Sequence, residues 1–219
     1  MPILGYVIVA IAAYLLGSIP TGFLVARARG IDIRAAGSGN IGATNAMRVL
    51  GKPAGMFVLL MDALKGYVAC VGLVAIIFAR RYSDFPDRLI NFDELEHVKI
   101  LAGICAVLGH IYTCWLKFKG GKGIATSAGV YLALAPLPLL IAMVVFILAL
   151  LATRYVSVGS MAAAVALTAA VWMLTPHNVL LGIVTTVLGG LAIYKHKGNL
   201  QRLAAGTESR LQFKKKETT

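Results

Sequence analysis

The stretch GIATSAGVYLALAPLPLLIAMVVFILALLAT, residues 123–153, contains no aspartate, glutamate, lysine or arginine. As a single helix its 31 residues would extend about 46 Å, longer than the ~30 Å hydrocarbon core of a bilayer. Four other runs are similarly apolar, namely residues 1–26, 54–79, 100–116 and 155–194. With 59% hydrophobic and 14% charged residues, the chain is far more apolar than a soluble domain. The sequence therefore predicts an all-α polytopic membrane protein, with residues 1–219 as a single integral membrane domain.

The N-terminus and the cysteines fit a membrane protein without a secretory leader or disulfides. The first residues carry no basic n-region, and the first apolar run is longer than a signal-peptide h-region, so a cleavable signal peptide is not expected. Cys70, Cys105 and Cys114 lie in or beside apolar runs, at no metal-ligand spacing. We therefore expect reduced, packed thiols.

The net charge of +12 is distributed unevenly along the chain. Bases dominate residues 27–52, residues 117–122 and the tail from Lys195, whereas residues 80–99 carry four bases and five acids. Basic loops remain in the cytoplasm, so the first three segments are predicted on the cytoplasmic side and residues 80–99 outside. This places the N-terminus outside and the C-terminus in the cytoplasm.

The number of membrane crossings depends on how the two longest apolar runs are divided. The other three runs predict helices over about residues 3–25, 54–79 and 100–115. The first long run contains APLP at residues 135–138, and the second contains TPHN at residues 175–178, both natural breaks. Splitting both runs gives seven transmembrane helices, some of them short, with Arg154 in the cytoplasm. A five-helix arrangement also keeps the tail inside but places Arg154 outside, and we favour seven.

A polar segment, GSGNIGATNAMR at residues 37–48, separates the first two predicted helices. Its glycines allow backbone angles closed to other residues, and its side chains offer hydroxyls and amides; these residues are Gly37, Gly39, Gly42, Ser38, Asn40, Thr44 and Asn45. The glycines formally match G-x-G-x-x-G, but no strand precedes them and no βαβ unit follows, so a dinucleotide fold is not predicted. If a helix begins at Ala43, then Thr44, Asn45 and Arg48 share one face. We interpret the segment as an anion cradle at a helix N-terminus, with a plain interhelical loop as the alternative.

A second polar segment, GHIYTCWLKFKGGKGIAT, spans residues 109–126. Lys119, Gly120, Gly121, Lys122 and Gly123 have the chemistry of a phosphate-binding loop, although the spacing is not that of a Walker A motif. The alternative is that the lysines only enforce topology through the positive-inside rule. His110, in an otherwise apolar helix, is a further candidate, with packing as its alternative role.

The third polar segment, KHKGNLQRLAAGTE, spans residues 195–208. His196, Asn199 and Arg202 follow one another at three-residue spacing and can face the same way on a helix. An amphipathic segment at the lipid headgroups is the alternative. Ser157 and Ser160 form a fourth cluster, beside Arg154. They are weaker site candidates, because serines in membrane helices usually bond to backbone or to a neighbouring helix. Seven helices would bring all these polar segments to one membrane face.

Few acids accompany these basic groups. The candidates are Asp32, Glu208 and Asp62, and Asp62 has the simple alternative of pairing with Lys65 on one helix face. This scarcity argues against a carboxylate-held divalent metal and against a two-carboxylate mechanism. Arginine, lysine, histidine, asparagine and serine at glycine-rich turns suit phosphorylated substrates. No histidine is followed at the fifth position by aspartate, which excludes the acyltransferases that use a His-x4-Asp pair.

Together the three polar segments resemble the bacterial acyl-phosphate:glycerol-3-phosphate acyltransferase family, a membrane enzyme of early phospholipid synthesis. GSGNIGATNAMRVLGK at residues 37–52 resembles the first family motif, GHIYTCWLKFKGGKGIATSAG at residues 109–129 the second, and HKGNLQRLAAGTES at residues 196–209 the third. The order, the spacing and the intervening apolar segments also fit, so the resemblance covers nearly the whole chain. One departure is Thr113, where the family commonly has proline, and it puts the local shape at the exit of the third helix in question.

The resemblance implies transfer of the acyl group of a long-chain acyl phosphate to the sn-1 hydroxyl of glycerol 3-phosphate, giving lysophosphatidic acid and phosphate. It also implies seven helices in the bacterial plasma (inner) membrane, a cytoplasmic active site, and neither acyl-CoA nor acyl carrier protein as the direct donor. An acyl phosphate is a mixed anhydride with a good leaving group, so direct transfer without a covalent acyl-enzyme is expected. Apart from the two substrates and membrane lipids, no cofactor, metal, nucleic acid or obligate protein partner is expected.

Matching positions in the family imply roles for single residues. The expected catalytic residues are Ser38, Arg48, Lys119, His196 and Asn199. Asn40, Thr44, Gly120, Gly121, Lys122 and Gly123 are expected on the same basis to bind substrate. The residue patterns described above add Gly37, Gly39, Gly42, Asn45, His110, Ser157 and Ser160 as substrate-binding candidates. Glu208 is expected to brace the third motif. Either His196 or a substrate phosphate removes the hydroxyl proton, and the sequence leaves both open.

The alternative function is a transporter or exchanger of a phosphorylated metabolite that uses the same basic groups. Transporters of many folds have inverted repeats and a binding site at the bilayer midplane. The sequence has no convincing internal repeat, and its polar groups lie at the ends of the predicted helices. We therefore favour the enzyme.

Overall fold

The computed structural model describes residues 3–77 and 92–211, and the regular structure in these ranges is helical. The α-helices are α1 (Ile3–Ser18), α2 (Thr21–Arg27), α3 (Ala43–Leu50), α4 (Lys52–Val68), α5 (Phe92–Ile111), α6 (Ile124–Leu134), α7 (Pro136–Thr153), α8 (Val156–Leu174), α9 (Val179–Lys195) and α10 (Lys197–Ala204). A π-helical turn (Ala69–Leu73) follows α4, and a 3₁₀ turn (Cys114–Leu116) follows α5. The predicted all-α class is confirmed for the described ranges.

Both long apolar runs are divided where the sequence predicted. Ala135 separates α6 from α7, and residues 175–178 separate α8 from α9. Proline cannot continue a helix, because it lacks an N–H donor and restricts the residue before it. After the second break, the Asn178 side chain accepts a hydrogen bond of 2.9 Å from the Leu181 N–H and caps α9.

The first run differs from the prediction, because the single helix expected over residues 3–25 is interrupted. α1 ends at Ser18 and α2 begins at Thr21, with Pro20 between them. The proline ring clashes with the carbonyl four residues earlier and ends the helix. The carbonyl of Ile19 at this break accepts a hydrogen bond of 2.9 Å from Lys65 Nζ.

The ends of two further helices differ from the prediction. α5 begins at Phe92, inside the segment expected to be an external loop, and it ends at Ile111. Asp93 and Glu94 in its first turn complement the positive end of the helix dipole, which favours the earlier start. α4 begins at Lys52, and the predicted end of that helix at residue 79 lies outside the described residues.

The chain divides into two compact units, Met1–Pro136 and Leu137–Thr219. In the first unit, glycines let helices approach closely: a Cβ at Gly17 would collide with the α5 backbone, and a Cβ at Gly129 with the α4 backbone. In the second unit, the Trp172 ring lies against Gly182, and its Nε1 donates to Thr186 at 3.0 Å, which joins α8 to α9. The single domain remains a prediction.

Several helices are long and apolar enough to cross a membrane. Among the described residues, five segments qualify, namely Ile3–Arg27, Lys52–Ile77, Asp93–Leu116, Pro136–Thr153 and Val156–Leu174. The pair α9 and α10, bent by 48°, adds a sixth if it is one span. α6 has 11 residues and is about 16 Å long, shorter than the hydrocarbon core.

Candidate active site

One buried side chain, Asn45, holds the glycine-rich segment at residues 37–42. Its Oδ1 accepts from the Ser38 N–H at 2.8 Å, and its Nδ2 donates to three backbone carbonyls between residues 33 and 40. Gly37 and Gly39 have φ angles of 60° and 71°, which glycine adopts without steric cost. Asn45 therefore braces the loop from inside, and its contact with substrate remains a prediction.

The braced loop leads into the N-terminus of α3. The helix begins immediately after Gly42, as the sequence predicted, and no side chain caps it. Asn40 Oδ1 accepts from the Gly42 N–H at 2.8 Å. The side chains of Ser38 and Arg48 are exposed, and that of Thr44 is half-buried. Since N–H groups and the helix dipole favour negative charge at such an end, this geometry suits a phosphate.

The acid nearest to this loop in sequence is neutralised by its neighbour. Arg34 donates to Asp32 from Nε at 2.9 Å and from Nη2 at 2.8 Å, and these hydrogen bonds lower the pKa of Asp32 to about 2. The Arg34 guanidinium also lies 4.9 Å from the centre of the Phe23 ring. The carboxylate of Asp32 is thus already paired with a cation.

The lysine–glycine loop at residues 119–123 lies against the C-terminal end of α5. The Gly120 N–H donates to the Ile111 carbonyl at 3.1 Å, and the Gly121 N–H donates to the His110 carbonyl at 3.0 Å. A Cβ at Gly120 would collide with the His110 carbonyl, and a Cβ at Gly121 with the His110 ring. These two glycines permit close approach, and their N–H groups already donate within the protein.

The loop is bounded by residues in left-handed conformations. Lys117 and Phe118 have φ angles of 53° and 61°, which are uncommon for residues with a side chain. Gly123 has a φ of 84° and precedes α6. The side chain of Lys119 is exposed and that of Lys122 is half-buried. The turn therefore presents lysine side chains beside tightly packed glycines.

Thr113 occupies the position where the resemblance predicts proline. Its φ is −63°, close to the angle that a proline ring imposes. Its hydroxyl donates to the Ser18 carbonyl. The backbone at the exit of α5 therefore has a φ angle that proline also adopts, so this departure from the family pattern does not require a different path.

His110 is buried in a polar cluster of which the sequence indicated only one pair. Lys65 Nζ lies 2.8 Å from Asp62 Oδ1 and 3.0 Å from His110 Nδ1. Thr21 Oγ1 donates to Asp62 Oδ1 at 3.2 Å. The pairing of Asp62 with Lys65 is confirmed, but the sequence did not indicate the contact of Lys65 with His110. The only signal was two ionisable residues three positions apart inside an apolar run.

In the second unit, Glu208 joins the third polar segment to the start of α8. Its Oε1 accepts from Asn199 Nδ2 at 2.6 Å and from Ser157 Oγ at 3.0 Å, and its Oε2 accepts from Arg202 Nε at 2.8 Å. The Glu208 side chain is buried, whereas that of Arg202 is 41% exposed. The sequence aligned Arg202 with His196 and Asn199 but did not indicate this ion pair.

The other predicted residues of this unit bond to backbone carbonyls. His196 is buried, and its Nδ1 lies 2.8 Å from the Ala192 carbonyl. A carbonyl only accepts, so Nδ1 carries a proton and donates this hydrogen bond. Ser160 Oγ donates to the Val156 carbonyl at 2.9 Å, as serines in helices often do. The contacts of both residues with substrate remain predictions.

Glu208 is expected to make folding stability depend on pH. Burial alone raises the pKa of its carboxyl, but hydrogen bonds from Asn199, Arg202 and Ser157 bring it below the ordinary 4.5. Because the folded-state pKa is the lower one, this stabilisation is present above about pH 4.5 and is lost as pH falls through the folded-state value. The Glu208→Gln variant is expected to be less stable at pH 7 by roughly 1–3 kcal/mol.

Thermal unfolding of the purified protein in detergent, followed across acidic and neutral pH, measures this effect. The variant is expected to lose less stability on acidification than the wild type, since its side chain does not titrate. Glu96→Gln, at an exposed glutamate of α5, is the control. Equal acid sensitivity of wild type and Glu208→Gln would contradict the prediction.

Comparison with known proteins gives a match along most of the chain. The family model described as glycerol-3-phosphate acyltransferase matches residues 7–206. A glycerol-3-phosphate acyltransferase of Geotalea daltonii is 41% identical over 204 residues, covering 93% of this chain and 96% of that protein. One from Geobacter sulfurreducens is 44% identical over 209 residues, covering 95% and 99%.

Solved structures agree with this match. A crystal structure of PlsY (YgiH), an integral membrane glycerol 3-phosphate acyltransferase, in its glycerol 3-phosphate form has a TM-score of 0.80 and 36% identity, covering 94% of this chain and 96% of that one. The lysophosphatidic acid form has a TM-score of 0.77 and 35% identity, covering 94% and 95%. Because sequence and fold both match over nearly the whole length, this chain belongs to the glycerol-3-phosphate acyltransferase family and is an integral membrane acyltransferase.

Proposed function

We propose that this enzyme transfers the acyl group of a long-chain acyl phosphate to the sn-1 hydroxyl of glycerol 3-phosphate, giving lysophosphatidic acid and phosphate. Membership of the family over residues 7–206 carries the proposal. PlsY (YgiH) has been solved in a glycerol 3-phosphate form and in a lysophosphatidic acid form. These molecules are the acceptor and the product of a single acyl transfer, which supports glycerol 3-phosphate as the acceptor here.

The chemistry of the polar segments supports an acyl phosphate as the donor. Its phosphate is a good leaving group, so the carbonyl carbon needs no covalent protein nucleophile. Positioning of the two substrates and stabilisation of the developing charge supply the acceleration. Lysine and arginine side chains such as Lys119 and Arg48 suit that task, because charge-assisted hydrogen bonds to phosphate oxygens are strong.

In the first unit, the proposed roles follow the two polar loops. The N-terminus of α3, with Ser38, Asn40 and Thr44, cradles a phosphate. Arg48 binds glycerol 3-phosphate through its guanidinium. Residues 119–123 contact the head group of the acyl phosphate through the lysine side chains, and the acyl chain lies between helices in the bilayer.

In the second unit, His196 and Asn199 contact glycerol 3-phosphate. Because His196 Nδ1 donates to the Ala192 carbonyl, Nε2 is the nitrogen that would accept the hydroxyl proton. An oxygen of a substrate phosphate is the alternative base. Glu208 accepts from the Asn199 amide and thereby orients it, which is a bracing role.

We also propose seven membrane crossings in the bacterial plasma membrane, with the N-terminus outside and the active site on the cytoplasmic face. The five long spans, the bent pair of α9 and α10 as one span, and α6 as one short span make up this number. The arrangement keeps the basic residues 117–122 and the basic tail in the cytoplasm.

A single cysteine at Arg154 distinguishes seven crossings from five. In a chain whose native cysteines are replaced by alanine, Arg154→Cys is expected to react with a membrane-impermeant maleimide only after the cytoplasmic side is opened. Asp93→Cys, on the segment predicted to be external, is expected to react in intact cells and serves as the control. Reaction of Arg154→Cys in intact cells would exclude the seven-helix arrangement.

The reaction itself is tested with purified protein in detergent. Acyl phosphate and glycerol 3-phosphate together are expected to give lysophosphatidic acid and phosphate in equal amounts, and omission of glycerol 3-phosphate is expected to abolish the lipid product. No phosphate release, under conditions where a proven member of the family is active, would refute the proposed reaction. Uptake of a phosphorylated metabolite by proteoliposomes without any acyl transfer would favour a transporter instead.

A further inference from the structure

A buried ion pair lies inside the second membrane span. Asp62 and Lys65 are 2% and 6% exposed, and their charged atoms are 2.8 Å apart. Ionisable side chains within a membrane span are costly and mark functional sites by default. Neither residue has a role in the reaction proposed above.

All three protons of the Lys65 ammonium have an acceptor. These acceptors are Asp62 Oδ1 at 2.8 Å, the Ile19 carbonyl at 2.9 Å and His110 Nδ1 at 3.0 Å. An ammonium group has no lone pair, so His110 Nδ1 accepts and the proton of the neutral ring lies on Nε2. Asp62 Oδ1 is 3.6 Å from His110 Nδ1, too far for a hydrogen bond, so the hydrogen bond at Nδ1 is the one from Lys65 Nζ.

The opposite edge of the His110 ring contacts the lysine–glycine loop. A Cβ built on Gly121 would collide with Nε2, and only glycine leaves room for the ring at that position. The Gly121 N–H also donates to the His110 carbonyl at 3.0 Å. Both the ring edge and the backbone carbonyl of His110 therefore contact Gly121.

We propose that Lys65, held by Asp62, is a positioning residue that keeps His110 in the Nε2-protonated tautomer, with that N–H directed at residues 119–123. This proposal rests on the proposed function, in which the same loop contacts the head group of the acyl phosphate. An N–H fixed at that place donates a hydrogen bond to a phosphoryl oxygen or to the acyl oxygen as negative charge develops on it. Lys65 acts through His110 and does not itself touch the substrate.

A purely structural role for Lys65 makes a different prediction. Its bond to the Ile19 carbonyl satisfies backbone at the Pro20 break, and loss of that bond alone would lower stability without changing the His110 ring. The discriminating measurement is therefore the tautomer of His110 in the full-length protein, from the ring ¹⁵N chemical shifts of histidine-labelled protein in detergent. The chain has four histidines, and His110→Asn assigns the signal.

The test variant removes both charges together, because removal of one would leave an unpaired buried charge. In Asp62→Leu/Lys65→Met the His110 ring is expected to populate both tautomers. The kcat is expected to fall about 10- to 100-fold, as when a group that orients a functional histidine is lost, while KM for glycerol 3-phosphate stays within about twofold of wild type. Thr21→Val is the matched control: it removes the other hydrogen bond to Asp62, leaves Lys65 on His110, and is expected to change neither tautomer nor kcat.

The wild-type protein is expected to show the neutral Nε2-protonated tautomer. An Nδ1-protonated or charged wild-type ring would overturn the proposal, and so would a double variant with wild-type kcat or tautomer. The chemical shifts are recorded without acyl phosphate, so a wrong donor assignment appears separately, as a wild-type protein that releases no phosphate. Loss of thermal stability in the double variant with an unchanged tautomer would assign Lys65 the structural role alone.

Discussion

Replacement of Arg48 with alanine is expected to lower kcat/KM for glycerol 3-phosphate by about 10²- to 10³-fold, equivalent to about 2.7–4 kcal/mol. The guanidinium is exposed on α3, one helical turn beyond Thr44, where it can reach an anion at the helix start. A planar guanidinium binds two phosphate oxygens at once, so its loss removes both charge and orientation. Steady-state kinetics with glycerol 3-phosphate as the varied substrate measure the effect.

Two further variants make the result on Arg48 specific. Arg48→Lys keeps the charge without the planar fork and is expected to recover only part of the activity. Lys52→Ala removes another exposed base four residues further along the chain, at the start of α4, and is expected to change kcat/KM less than about threefold, since surface charges contribute little. If Arg48→Ala left both KM and kcat at wild-type values, the assignment of Arg48 to substrate binding would be wrong.

Replacement of Gly129 with alanine is expected to give the largest loss of stability among single-methyl changes at helix crossings. The added Cβ would meet the carbonyl and backbone atoms of Ala63 and the backbone nitrogen of Tyr67, and backbone of a packed helix cannot move aside as a side chain can. Gly66 makes the reciprocal close approach to the Thr126 carbonyl. We expect a destabilisation of about 1–3 kcal/mol, measured as a lower melting temperature in detergent.

Gly190→Ala is the control for this prediction. Gly190 also lies within a helix, α9, but apart from its chain neighbours and the backbone of its own helix no described atom lies within 4 Å of the place where its Cβ would be. The change is expected to leave stability unchanged or to raise it, because alanine has the higher helix propensity. If the two variants melted at the same temperature, the close approach of α4 and α6 would not limit stability.

The helix breaks at residues 135 and 175–178 show what local sequence predicts well. Proline ends a helix through its own ring and missing N–H, whatever packs around it, so these breaks were predicted from the sequence. The same rule applies at Pro20, but that residue lay near the end of a continuous apolar run, and a single helix was wrongly expected there. The start of α5 at Phe92 was also missed, because polar residues outside the apolar run continue the helix.

The predicted site residues divide in a similar way. The three polar segments and their likeness to one family were visible from residue types and spacing alone. The hydrogen bonds from the Gly120 and Gly121 N–H groups to α5 carbonyls could not be predicted. A glycine in a sequence is compatible both with anion binding and with close packing against another backbone. Asn45 was likewise expected to offer its amide to a substrate, yet the residue is 2% exposed and braces the loop from inside.

By itself, the sequence determined that this chain is an all-α membrane protein, where its long apolar runs break, and which glycine-rich segments carry the chemistry of phosphate binding. These follow from hydrophobic transfer, proline geometry and local residue types, which act over a few residues. Only the tertiary structure decided that Lys65 forms a hydrogen bond with His110, 45 residues away, and that Glu208 accepts one from Ser157, 51 residues away. Such contacts depend on how helices cross, and helix crossings are set by packing between residues far apart in the chain.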